Sequence, residues 1–585
     1  MQSPSIGAIQ PSHTMAVDRP RATLAFPALG NRGQGGWNPL EDELPGLKGI
    51  LPRRMAGRGS VIPAFEPQRD APQASGPSAS STDAPMTKPR LPSKQSLADL
   101  LTGVREFLFV PLGSGSLSRT LAVVFFCLVF AGGIVHWFYF LHGGEMTFQA
   151  FDWTREYSLY SVIQAAVRQM RIPYFVDHPF FYTERFIAIP DTNLSPQVFL
   201  LNWLDIPQFI LANALFMYSL FFAGCLLLMR RYRLPPFAFL AMVTLAGLNG
   251  TITAHLAVGH SMWIGVLLLP FFAYTVLEIV QQDAEARSAK PAVLLGLVLF
   301  GMFLQGALHL MIWCWMFLGF LALGSWRYLK PVATALALSV LLSSFRFIPA
   351  VLTFQNFGYD YISGFPSLGD LWAGLTRIRD LEYPHIGGFF GTLGWHEYDV
   401  FIGLVGVAFL VGFGIYLRVK KDPALDSIRF APLDVPIILV TLLSINYAYL
   451  VVARLPIPLV NSERVSSRFL IVPLVMLIVL SSIRFGWFLP TIRRSAGAQT
   501  LFLAAYVVLV TDLGMHSFTW RLGRMENQFP HVPYTMAYHI VHQVDPGYVA
   551  SVNFGIALSL ATLAGVLLYL ARPRLARLRR PGVPH

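Results

Sequence analysis

The sequence predicts an all-α, polytopic membrane protein with about 12 transmembrane helices. Two features of composition and one of pattern carry that expectation. Charged residues are only 13% of the 585, against 54% hydrophobic and 14% aromatic residues, where a soluble domain carries about 25% charge. Mean hydropathy is +0.53. From residue 118 onward, apolar runs of 18–25 residues recur, the length needed to cross about 30 Å of hydrocarbon. An ordinary soluble enzyme and a disordered hub are excluded. Cys127, Cys225 and Cys314 all lie in apolar runs, so neither a disulfide framework nor a thiolate metal cluster is expected.

Residues 1–117 read as a cytoplasmic tail. The first 95 hold 14 of the 41 prolines and little hydrophobic periodicity, so they bury too little apolar surface to offset chain entropy and are expected to be disordered. No apolar stretch follows the early charges, which argues against a secretory signal. Met86 opens a plausible true start. Residues 96–112 suit a short interfacial helix. The expected spans are 118–141, 205–229, 236–256, 260–280, 291–308, 310–325, 331–352, 400–417, 432–452, 468–484, 498–515 and 550–571. The stretch 291–325 is divided at 305–309, because Gln-Gly-Ala-Leu-His suits a hairpin tip better than a bilayer centre. Residues 572–585 form a basic tail.

The net charge of +12 has a location. With the N-terminus cytoplasmic, the short inside loops and the C-terminal tail hold 19 Lys and Arg. The much longer outside loops hold 11. The positive-inside rule therefore predicts both termini inside a plasma (inner) membrane, and reads the basic clusters as anchors rather than a nucleic-acid surface. The long loops 142–204, 353–399, 453–467 and 516–549 then lie outside, and loops of that size are usually functional.

The first outside loop is rich in polar groups. Asp152 sits about ten residues past the first span, between Phe151 and Trp153. Glu156 follows four residues later, so a helix sets both carboxylates on one face. Carboxylates near apolar rings are driven to different pKa values, as general-base chemistry on a hydroxyl requires. The competing reading is a solvated loop with an Arg155 salt bridge.

Arg346 falls inside the span 331–352. A guanidinium there is a functional candidate by default unless it snorkels to the interface. Arg464 and Arg468, four apart at a short outside loop, suit a phosphate through bidentate geometry, or anchor the interface with Glu463. Glu397 and Asp512 are further acids at the outer level. His255, His260 and His309 fall at outer hairpin tips. Their spacing suits hydrogen-bonded interfacial histidines better than a metal site, so no metal ligands are assigned; no cofactor is implied, and a divalent metal stays open. Walker, Rossmann and haem motifs do not occur.

Several stretches resemble the GT-C class of integral-membrane glycosyltransferases, and within it bacterial YfhO-like proteins. "FDWTREYSLYSVIQAAVRQMRIPYF" (151–175) resembles their acidic juxtamembrane helix, and "FIAIPDTNLSPQVFLLNWL" (186–204) the loop returning to the second span. "HLAVGHSMWIGVLLLPFFAYTVLE" (255–278), "GTLGWHEYDVFIGLVG" (391–406) and "SERVSSRFL" (462–470) also have counterparts there. The likeness covers about residues 118–520. It implies a GT-C-like domain over 118–571 with a large first extracytoplasmic loop. It also implies transfer of a sugar from a polyprenyl-phosphate donor to an extracytoplasmic acceptor. Asp152 is then the base, supported by Glu156. Arg346, Arg464 and Arg468 hold the donor phosphate, with His260 and Glu397 lining the site. The acidic pair typical of the class is reduced here to a single Asp152, and no WWDYG-like signature occurs. A transporter or lipid flippase, and a non-catalytic assembly partner, are the competing readings.

Overall fold

The computed structural model describes residues 102–111, 116–148, 151–177, 183–189, 191–283, 288–353, 363–378, 386–387, 392–420, 426–454, 463–525, 528–530 and 539–578. Residues 1–101 of the expected N-terminal tail, with the start at Met86, and residues 579–585 of the C-terminal one fall outside the described residues, while residues 572–578 continue the last helix.

Among the described residues, seven helices are long and apolar enough to cross a membrane, or eight if one bent pair is a single span. They run over Arg119–Phe140, Ile206–Tyr232, Pro236–Ala257, Ser261–Gln281, Ser466–Arg493, Ala496–Met525 and Pro546–Arg572. Four shorter apolar helices, Lys290–Leu304, Leu308–Gly324, Gly403–Val419 and Ala431–Leu443, coincide with expected spans but are too short to qualify alone. The chain is therefore a multi-pass α-helical membrane protein.

Burial sorts the spans into layers. Pro236–Ala257, Ser261–Gln281 and Ser466–Arg493 are each more than four-fifths buried, whereas Arg119–Phe140, Ala496–Met525 and Pro546–Arg572 are mostly uncovered. A helix that is apolar all round belongs in the centre of a bundle or in lipid. Here both occur, with Val123, Leu128, Leu560 and Leu568 exposed on the peripheral helices. A short helix over 102–108 packs beneath the bundle, where Phe109 stacks on Phe237 with centroids 5.0 Å apart.

Three expected spans are corrected. The span 331–352 is bent by 79° between Trp326–Leu342 and Ser344–Thr353, with Pro349 just beyond the break. The span 432–452 is broken into Asp434–Leu443 and Asn446–Ala453. The gap is occupied by a foreign strand: the Phe365 N–H donates to Ser444 O (3.0 Å), and the Asn446 N–H donates to Phe365 O (3.1 Å). Gly364 makes this threading possible, since a Cβ there would lie 2.2 Å from Ser466 Oγ and 2.9 Å from Asn446 N. The span 260–280 begins as 3-10 helix over Ser261–Leu268 and becomes α-helical at Leu269.

The first long loop contains the expected helix, Trp153–Arg168, and also strands absent from the sequence expectation. Met146–Phe148 pairs antiparallel with Gln528–Pro530. Phe175–Asp177 pairs antiparallel with both Thr183–Arg185 and His539–Val541. These ladders tie the loop after the first span to the loop before the last one, building a cap on one end of the bundle.

Candidate functional site

A cavity of about 310 Å³ lies at this capped end. Its wall comes from residues 151–155, 191, 258–263, 307–310, 393–397 and 463–468. Each of these segments is a hairpin tip or a loop that the sequence places on the same side of the membrane.

Asp152 is positioned by contact with the tip at 257–260. Its N–H donates to Val258 O (3.1 Å), and Trp153 Nε1 donates to Ala257 O (3.2 Å). Gly259 permits that approach. It has φ +95°, and a Cβ on it would lie 2.3 Å from Trp153 N. Glycine is the one residue that meets both demands without strain. The tip thus brings His260 to the carboxylate, with Nε2 2.8 Å from Asp152 Oδ2. His260 Nδ1 lies 2.9 Å from His255 Nδ1. With both rings neutral, this geometry assigns the proton on His260 Nε2 to Asp152 and the proton on His255 Nδ1 to His260.

The hydrogen bond from His260 holds the Asp152 carboxyl below its usual range, against the opposing effect of burial. Burial pushes the His260 imidazole down, partly offset by Asp152. The pair is therefore carboxylate and neutral imidazole near pH 7. About half of the Asp152 side chain is exposed, so the base is open to a substrate.

A second ionic group faces it. Arg468 grips Glu397 with two hydrogen bonds, one from Nε to Oε2 at 2.5 Å and one from a terminal nitrogen to Oε1. Burial would raise the Glu397 carboxyl, but Arg468 and His396 outweigh it and hold it well below the carboxylate range. Trp263 braces the group: the His255 ring stacks on it at 4.4 Å, and the Arg468 guanidinium lies 5.4 Å from its centroid. On the far side Glu463 accepts from His309 Nδ1 (2.7 Å) and Trp313 Nε1 (3.0 Å). Asp191 lies 3.7 Å from both His309 and Arg155. Arg464 lines the cavity, and its backbone carbonyl receives the Ser363 N–H at 2.7 Å.

Of the residues singled out in the sequence, the cavity gathers Asp152, His260, Glu397, Arg464 and Arg468. Of the other candidates, His309 and Glu463 line it, whereas His255 and Asp512 do not, and two of the residues assigned to the site are not gathered. Glu156 does not line the cavity. It is buried, with its carboxylate on Ser261 Oγ, and burial raises its pKa to about 7. Helical spacing sets Glu156 one turn behind Asp152, as expected, but the tip at 258–261 closes over it. Arg346 does not reach the cavity either. Beyond the 79° bend its guanidinium donates to the carbonyls of Ile187 (3.2 Å) and Thr192 (2.8 Å), fastening the first long loop. These two bonds turn it to the loop at 187–192 and not to the cavity that gathers Arg464 and Arg468. Glu463, the partner of Arg464 and Arg468 in the alternative anchoring reading, pairs with His309.

Sequence reasoning missed His396 and Trp263, although both lie inside quoted motifs. It also missed the buried cluster in which Asp399 Oδ2 accepts from His516 Nε2 (2.8 Å) and Trp520 Nε1 (2.7 Å). Among the described residues, no group of three or more His, Cys, Asp or Glu could hold a metal ion.

Comparison with protein-family models, with curated proteins and with solved structures found no match to the chain. What fold and site define is a class, a multi-pass membrane protein with a polar, carboxylate- and arginine-lined cavity at one end.

Proposed function

We propose that the protein is a membrane glycosyltransferase of GT-C type that crosses a plasma membrane twelve times with both termini inside. It takes a sugar from a polyprenyl-phosphate donor and passes it to an acceptor hydroxyl outside. The observation that carries this reading is a half-exposed Asp152 carboxylate, oriented by His260 at 2.8 Å, opening onto the same cavity as Arg464 and Arg468.

In this reading the acceptor O–H gives its proton to Asp152 as its oxygen bonds to the sugar's anomeric carbon. The bond from that carbon to the donor phosphate breaks, and the electron pair leaves on the phosphate. Arginines on the opposite wall stabilise that charge, the kind of preorganised electrostatic contribution that dominates such steps. His260 holds the carboxylate in orientation, and the proton transfer needs no metal-bound water. The lipid chain stays among the helices, so the donor is not extracted from the bilayer.

The test uses reconstituted protein with a radiolabelled polyprenyl-phosphate sugar. Native protein should consume the donor, and Asp152→Asn should lower transfer roughly 10²–10⁴-fold, the usual scale for general-base loss, with insertion unchanged. An Asn variant at the native rate, or native protein that consumes no lipid-linked sugar, would defeat the reading. The bent pair around Ser343 favours transport as the second reading, because broken helices are common in transporters. Uptake of a solute by vesicles without donor consumption would decide for it.

A further inference from the structure

The end of the bundle opposite the candidate site carries a second, chemically different cavity. Helix Ile206–Tyr232 ends there in Arg230, Arg231 and the capping residue Arg233. The three arginines are not equivalent. Arg231 is tied to Glu278, with Nε 2.5 Å from Oε1. Arg230 and Arg233 are exposed, and among the described residues neither guanidinium has an ion-pair or hydrogen-bond partner. Both line a cavity of about 640 Å³.

The rest of that wall is apolar, made by Phe126, Leu226, Met229 and Leu234. Phe126 belongs to the peripheral helix Arg119–Phe140, so the apolar wall continues into a lipid-facing surface. The cavity therefore joins two cations, without an ion-pair partner among the described residues, to a hydrophobic slot running along a transmembrane helix.

Arg233 adds an independent sign. It closes the helix in the left-handed conformation, φ 50° and ψ 44°. The Leu234 N–H returns to Met229 O at 3.0 Å, the bond of a Schellman cap. That position is usually glycine, because a Cβ is strained there. An arginine held at a glycine position, with its side chain at a cavity mouth, fits a ligand that uses the guanidinium.

We propose that this cavity is a binding site for one anionic phospholipid, in the leaflet opposite the candidate active site. The phosphodiester sits between Arg230 and Arg233, where guanidinium geometry matches phosphate oxygens. An acyl chain lies against Phe126 and Leu226. Such basic pockets between spans suit acidic headgroups. The proposal is independent of the transferase reading.

The test is native mass spectrometry on delipidated full-length protein in detergent, titrated with phosphatidylglycerol or with phosphatidylcholine of the same chains. Native protein should bind one phosphatidylglycerol at least about 10-fold more tightly than phosphatidylcholine. Arg230→Gln with Arg233→Gly should abolish that preference. Arg231→Gln, whose partner is Glu278, should retain it. Arg233→Gly alone relieves the left-handed strain, so it keeps the fold if the double variant does not, and it should lose most of the preference. Equal binding of the two lipids, an undiminished preference in the variants, or full competition by inorganic phosphate at lipid concentrations would overturn the proposal.

Discussion

Gly259→Ala is the sharpest perturbation of the candidate site, because it changes one methyl group and touches no ionisable side chain. Two costs follow from the geometry. The backbone at 259 has φ +95°, where an L-residue with a Cβ pays roughly 1–2 kcal/mol. The added Cβ would lie 2.3 Å from Trp153 N and 2.7 Å from Asp152 C. These are backbone atoms at a helix start and cannot rotate away, so the two segments must separate by about 1 Å to reach ordinary contact near 3.4 Å. That displacement weakens the bonds from Asp152 N to Val258 O and from Trp153 Nε1 to Ala257 O. Each has a net worth of about 1 kcal/mol. The expected loss is therefore about 2–4 kcal/mol, measured by unfolding in mixed micelles followed by tryptophan fluorescence. The same shift moves Asp152 from His260, so transfer should fall further than stability accounts for. An alanine variant within about 0.5 kcal/mol of native, with native transfer, would refute the claim that this tip sets the position of Asp152.

Three further outcomes follow from the same structure. Burial raises the Glu156 carboxyl to about 7 from 4.5, so the folded state binds more protons than the unfolded state between those values. Stability should fall as pH rises through that window, by up to roughly 3 kcal/mol. Glu156→Gln should remove that slope without lowering transfer as Asp152→Asn does, and an unchanged slope would disprove the assignment. Arg468→Ala strands the buried Glu397 carboxylate and should cost about 3–5 kcal/mol. Glu397→Gln in the same chain should restore much of it, and a null effect of Arg468→Ala on unfolding would contradict the pairing. For topology, Met170 and Ser288 are exposed at opposite ends of the bundle. Cysteine at 170 should react with an impermeant reagent from outside and cysteine at 288 only after permeabilisation. The reverse pattern would invert the proposed orientation.

The sequence was most legible where a single periodicity decides. Apolar length located the helical segments, because lipid imposes that rule on each segment separately. It was least legible where distant segments meet. The break at Ser444–Ile445 exists because Phe365 inserts there, and nothing within 432–452 announces it. The strands at 146–148 and 175–177 are three residues long, and each has a partner beyond residue 527. Arg346 was correctly singled out as expensive, but two backbone carbonyls of a loop more than 150 residues away satisfy it. His255 and His260 have the wrong spacing for one helix face. They meet because the helix ends at Ala257 and Gly259 turns the chain. A glycine directly before a histidine at a predicted hairpin tip was the signal that could have revealed the pair.

Charge balance in the cavity leads to a last expectation. Asp152, Asp191, Glu397 and Glu463 line it together with Arg155, Arg464 and Arg468. Against burial, Glu463 and Asp191 raise the His309 imidazole to about 9, so near pH 7 the wall holds four carboxylates against three guanidiniums and one imidazolium, a formal charge of zero before a donor arrives. A donor phosphate brings negative charge into a partly dehydrated space. A proton entering with such a ligand offsets that added charge. His260 suits this, because burial keeps it neutral in the empty site. Around it stand His255, His396, Glu397, Arg468 and Asp152, the last already hydrogen-bonded to Nε2. An arriving anion raises the His260 pKa, so proton uptake accompanies binding at pH values between the free and the bound pKa. Donor affinity should therefore tighten as pH falls through that interval. Calorimetry of donor binding at pH 7 in buffers of different ionisation enthalpy measures the uptake directly. His260→Asn should reduce it. A binding enthalpy independent of the buffer would show that the arginines carry the phosphate unaided and that His260 serves only to orient Asp152.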